Sequence, residues 1–204
     1  MAEASDVEPG VSPDVLDAFE RAAEMSLEPE EEFFPEAAGE GIEIAFGAGA
    51  KPESVTAFSR QVLTAILEKA GLRRVVISST SRDASEQARV MFQNLEQFGV
   101  AHQKKLYAAA GDQVIEVYRK AKAAGKPATE IRQLMTQEIL RIGPTRVSRH
   151  ASDPRVLNVF DVAPSSVTNR AAFEQAVRAE PRVAKFLVPP SDPGYHLEIP
   201  QPQA

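Results

Sequence analysis

The sequence predicts an α+β domain with a small central antiparallel sheet, flanking helices and a helical insert. Strand-like segments are few, at Leu72–Ser79, Val156–Ala163 and Tyr195–Ile199. The stretches between them carry a helical period and have uneven lengths, and one of them, 103–142, is helical almost throughout. Few strands separated by helices of unequal length suit this fold class.

Taken in order, residues 1–51 read as an acidic, mobile leader and junction. Pro9, Pro13, Pro29 and Pro35 interrupt the leader, and one short helix is expected over Asp14–Met25. Gly39, Gly41, Gly47 and Gly49 mark the junction. The folded domain, 52–204, is expected to start at Pro52. Val55, Phe58, Val62, Ile66 and Leu67 follow a helical period that Gly71 stops. The Leu72–Ser79 strand carries Val75-Val76-Ile77, a short run that reads as buried. Asp83 and Glu86 have the spacing of a capping pair for a helix over Ala84–Phe98, which Gly99 ends. Two apolar stripes, Val114, Ile115 and Tyr118, then Ile131, Leu134, Met135, Ile139 and Leu140, make 103–142 a pair of packed helices broken at Gly125-Lys126-Pro127. A strand, a helix over Asn169–Ala179 and a last strand complete the chain.

Composition narrows the chemistry. The chain has 204 residues, 43% of them apolar, and no cysteine, so thiolate metal sites and disulfides are excluded. Its apolar runs are too short to span a bilayer, and residues 1–20 lack the basic start and apolar stretch of a secretory signal. Charge is segregated. Residues 1–40 hold 13 acids and one base, whereas 102–150 hold 10 bases and four acids. A basic region suits an anionic polymer, but an ordinary solvated helical surface is the preferred reading. The acidic leader is expected to dock on this basic segment and restrain the domain.

Only three histidines exist, His102, His150 and His196, so any metal site needing two has little choice. Alternation along a strand sends His196 and Glu198 to one face while Tyr195, Leu197 and Ile199 face the core. Asp161, between Phe160 and Val162, stands alone on its face, and a buried carboxylate or imidazole needs a partner. A cation shared by His150, Asp161 and His196 supplies one. Two imidazoles and a carboxylate with a fourth position left to water make a catalytic zinc site. Such chemistry also needs a carboxylate to carry a proton and a cation near the developing oxyanion. Arg82, after the Leu72–Ser79 strand, is placed for the latter. His102 reads as an ordinary packed histidine.

The segments Val76-Ile77-Ser78-Ser79-Thr80-Ser81-Arg82 and Ser85-Glu86-Gln87-Ala88-Arg89 resemble the arginine region of the D-alanyl-D-alanine metallopeptidases. These zinc peptidases include the VanX and VanY enzymes, phage L-alanyl-D-glutamate endolysins and the hedgehog signalling fold. Ser148-Arg149-His150, Phe160-Asp161-Val162 and Tyr195-His196-Leu197-Glu198-Ile199 are similar to the family's metal-binding segments, in the same order over roughly residues 55–200. The resemblance implies zinc ligands His150, Asp161 and His196, with Arg82 stabilising the tetrahedral intermediate. It places Ser148, Gln87 and Tyr195 on the substrate side and implies a peptidoglycan stem peptide, D-alanine-containing or of L-alanyl-D-glutamate type.

Two features depart from the family. Ten residues separate His150 from Asp161, a longer loop that makes Asp153 a competing ligand, although its neighbour Pro154 reads as a turn and Asp161 is preferred. Pro193 occupies the place of the family's general base, three residues before His196, which leaves Asp192 or Glu198 for that role. The expected partner is wall peptide, with no nucleic acid and no membrane span. The chain is expected to be made in the cytoplasm and to reach the wall by phage lysis or a secretion system. Rival readings are an inactive metal-binding wall or assembly module, and a basic helical adaptor that needs no metal.

Overall fold

The computed structural model describes residues 41–202. The leader helix over Asp14–Met25 and the docking of the leader fall outside them. Five strands form one mixed sheet in the order β1-β2-β3-β5-β4: β1 Glu43–Phe46, β2 Arg74–Ser79, β3 Leu157–Val162, β4 Lys185–Leu187 and β5 Tyr195–Pro200. Six helices accompany it: α1 Ala57–Ala70, α2 Ala84–Leu106, α3 Ala109–Ala123, α4 Ala128–Ile142, the single turn α5 Pro144–Val147, and α6 Arg170–Arg178.

The α+β expectation holds, with two adjustments. Strand β1 lies inside the stretch read as junction, so the sheet begins before Pro52. It pairs parallel to β2, Glu43 opposite Arg74 through Phe46 opposite Ile77, whereas every other pairing is antiparallel. The alternation of Ile42, Ile44 and Phe46 was a strand signal overshadowed by the glycines around it.

Local chemistry sets the helix ends. Thr56 caps α1 by accepting from the Ser59 amide at 3.1 Å, and Gly71 closes it with φ 67°. Asp83 and Glu86 form the expected capping box, each side chain accepting from the other's amide at 2.8 and 2.9 Å. Within α2 the helix breaks at Gly99, whose φ of 79° and ψ of 169° leave the helical region.

Two cores result. On one face of the sheet Val75, Ile77, Phe160, Val162, Tyr195, Leu197 and Ile199 meet α1 and α6 through Leu63, Ile66, Leu67, Phe173 and Val177. The second core lies within the helical subdomain, where Met91 and Leu95 of α2 pack against Val114 and Ile115 of α3 and Ile131, Met135 and Ile139 of α4. Met135 is wholly buried. Met135→Ala should therefore cost about 2–5 kcal/mol, read as a lower denaturation midpoint.

Much of the charge of the basic insert is paired within the helical subdomain. Lys104 and Arg119 pair with Glu116, Lys122 with Glu96, Lys126 with Glu130 and Arg141 with Glu138. No helix among the described residues is long and apolar enough to cross a membrane.

Candidate metal centre

The sheet face opposite the first core carries the polar cluster. Antiparallel pairing sets Asp161 of β3 directly across from His196 of β5, and directly opposed residues point to the same face. On β2 the register slips between Ile77, opposite Val162, and Ser79, opposite Asp161. Two steps on β2 against one on β3 constitute a bulge, which turns Ser79 from the core face to the Asp161 face. The chain then delivers Thr80 and Arg82 beside the cluster.

His150 comes from elsewhere. It sits in the 3-10 turn Arg149–Ala151 that follows α5, and two bonds moor it to the end of β2. Its carbonyl accepts from the Arg82 amide at 2.9 Å, and its Nδ1 lies 2.8 Å from the Thr80 carbonyl. A carbonyl can only accept, so Nδ1 donates to it and Nε2 is the nitrogen turned toward the cluster. That Nε2 faces Asp161 at 3.2 Å. His196 presents Nδ1 to Asp161 Oδ1 at 2.9 Å and Nε2 to Glu198 Oε1 at 3.4 Å. The two rings stand 5.1 Å apart, centroid to centroid.

These residues fit a metal. One ligand atom from each of His150, Asp161 and His196 lies within 4.8 Å of the others, and all three side chains are largely buried. The 3.2 and 2.9 Å separations are close to the roughly 3.3 Å between two ligands of a tetrahedral ion with bonds of about 2 Å. Each imidazole has its far nitrogen held by an acceptor, the arrangement that orients metal-binding histidines.

Electrostatics match this geometry. Burial alone would raise Asp161, but the charges and hydrogen bonds of His150 and His196 outweigh it and hold the carboxyl well below its ordinary range. Burial alone would lower His196, and Asp161 outweighs it in turn, raising the imidazole above its ordinary value. A ring with a carboxylate at each nitrogen can hold both protons, and a metal must displace the one on Nδ1.

Around the cluster, Arg82 Nη2 lies 4.0 Å from Asp161 Oδ2 and donates to Ser79 Oγ at 2.5 Å. Asp192 is half-buried and accepts from the Gly194 amide at 3.0 Å. Its pKa is raised by burial and then by the charge of Asp161. Glu198 is enclosed and engaged three times, by His196, by Arg149 Nε at 3.4 Å and by Lys185 Nζ at 3.8 Å. Ser148 is half-buried two residues before His150.

Two residues expected on the substrate side are enclosed by packing. Tyr195 is a core residue, stacked on Phe186 and bonded to Glu174, because alternation along β5 turns it away from His196. Gln87 is fully buried and touches Arg82 and Tyr107. Asp153 is paired with Arg155 on the surface, outside the group formed by His150, Asp161 and His196. Sequence reading missed Thr80, which acts through a backbone carbonyl that no side-chain pattern announces, and Tyr107, which lies at the end of α2.

All three tyrosines resist ionisation: burial raises Tyr107, and burial together with Glu96 or Glu174 pushes Tyr118 and Tyr195 up to about 12. The folded chain keeps these protons while an unfolded one loses them near pH 10, so stability is whole below about pH 10 and falls as pH climbs toward 12. Phenolate absorbance should accordingly rise later in folded than in denatured protein.

No protein-family model matches the chain, and no curated protein or solved structure does either.

Proposed function

We propose that the chain is a zinc-dependent peptidase that hydrolyses peptidoglycan stem peptides, acting at the bacterial wall after delivery by phage lysis or a secretion system. The observation that carries this reading is the buried convergence of His150, Asp161 and His196, with the far nitrogen of each imidazole already engaged. Two histidines and one carboxylate are the donor set of a catalytic rather than a structural zinc site. Zinc held there supplies Lewis acidity, polarising a scissile carbonyl and acidifying water. The peptidoglycan substrate rests on the ordered resemblance of the motif segments.

The remaining roles belong to side chains. Arg82 brings a cation to the edge of the cluster, where negative charge develops on the carbonyl oxygen. Asp192 is a half-buried carboxylate within electrostatic reach of Asp161, His196 and His150, where it can carry a proton. Glu198 does not suit that task, since His196 and two cations already occupy its oxygens. It orients His196 instead. Glu198→Gln should weaken zinc binding by about 10–100-fold while leaving hydrolysis at saturating zinc largely intact.

The test is full-length protein incubated with zinc and wall fragments. Release of peptides or D-alanine, abolished by a chelator, is the expected result. Stoichiometric zinc without release from any wall fragment would overturn the peptidase in favour of a metal-binding wall module.

A further inference from the structure

The helical subdomain touches the cluster through one hydrogen-bonded chain. Arg82 Nη1 donates to Gln87 Oε1 at 3.3 Å, and Gln87 Nε2 donates to the Tyr107 hydroxyl oxygen at 3.1 Å. Gln87 is fully buried, so its amide has no access to water. The guanidinium can only donate, which obliges the amide to turn its oxygen toward Arg82 and its NH2 toward Tyr107. Arg82 thus sets the amide orientation, and the Tyr107 hydroxyl holds it by accepting from the NH2 that this orientation turns away from the guanidinium. Without the hydroxyl, a buried N–H is left unpaired, or the amide turns and releases the guanidinium.

The ring of Tyr107 is fitted into its place. A Cβ added to Gly111 on α3 would lie 2.5 Å from Tyr107 Cδ1 and 2.6 Å from its Cβ, so only glycine admits the ring there. Gly111 does not have a positive φ, so the obstacle to a side chain there is crowding, and the three nearest atoms all belong to Tyr107. The hydroxyl lies within the electrostatic reach of Arg82, Asp192 and Asp161.

We propose that Tyr107 is a positioning residue that, through Gln87, fixes the Arg82 guanidinium beside the metal cluster, so that the helical subdomain sets how Arg82 meets its substrate. The consequence for catalysis rests on the peptidase reading; the positioning itself does not. Tyr107→Phe removes the acceptor, Gly111→Ala displaces the ring with its hydroxyl intact, and Gln87→Glu added to Tyr107→Phe gives Arg82 a carboxylate that needs no tyrosine.

The experiment compares zinc-loaded full-length variants by NMR of the arginine side-chain N–H groups, with Arg82→Lys assigning the Arg82 signal. Zinc affinity is measured alongside by competition with a chromophoric chelator. Wild-type protein should show a separate, slowly exchanging Arg82 signal. In Tyr107→Phe and Gly111→Ala it should merge with the exposed arginines while zinc affinity changes less than threefold, and Gln87→Glu should restore it. Where wall peptide is cleaved, kcat should fall about tenfold in both single variants with KM within twofold. An Arg82 signal unchanged in both single variants overturns the proposal. Failure of the peptidase alone appears as absent cleavage in wild-type protein with the NMR pattern intact.

Discussion

Asp192→Asn will cut peptide release from wall fragments by about 10²–10⁴-fold, the usual contribution of a proton-transferring side chain. The substitution is nearly isosteric and keeps an oxygen for the Gly194 amide, so the Asp192–Gly194 turn should survive. Zinc stoichiometry should therefore stay at the wild-type value, which separates lost proton transfer from a lost site. Burial and the neighbouring Asp161 charge raise the Asp192 pKa in the metal-free protein, whereas zinc on Asp161 would act in the opposite sense, so the acid limb of the wild-type rate profile reads out the balance of the two. The base must be ionised to act, hence activity is present above that pKa and lost below it. Full activity in Asp192→Asn would remove Asp192 from the mechanism.

Zinc at about 1,000 times its dissociation constant should stabilise the fold by about 4 kcal/mol, and chelation should reverse the shift. His196→Ala should abolish it. Gly194→Val tests the same site without touching a ligand. A Cβ on Gly194 would lie 3.1 Å from Asp161 Cβ and 3.7 Å from its Cγ, and the branched methyls of valine add to that pressure. Asp161 must then give way by a few tenths of an ångström or more, which shifts its carboxylate relative to the two imidazoles. Zinc-dependent stabilisation should fall to within error in this variant. An equal shift in wild-type, His196→Ala and Gly194→Val proteins would mean that zinc binds elsewhere.

Much of the fold was legible because its signals are local. The capping pair at Asp83 and Glu86, the stops at Gly71 and Gly99 and the helix stripes of the insert all act within a few residues of themselves. Strand β1 escaped because glycines surround its short alternation, and β4 because three residues carry too little periodicity. The face of β5 was readable from alternation, yet the same alternation removes Tyr195 from the substrate side, where resemblance alone had put it. Asp153 and Asp161 were separable in kind, one beside a turn proline and one on a strand, and the structure sets only Asp161 between the histidines.

By itself the sequence determined which side chains were available to a metal. The absence of cysteine and the presence of only three histidines left a nitrogen and oxygen donor set with little freedom of choice. Tertiary structure alone decided that these donors meet, because the contacts that gather them are non-local. Asp161 and His196 meet through strand register, His150 through a carbonyl 70 residues away, and Ser79 through a bulge. Backbone carbonyls and register shifts carry no side-chain signature, so the placement of His150 and the link from Tyr107 to Arg82 exist only once the chain has folded.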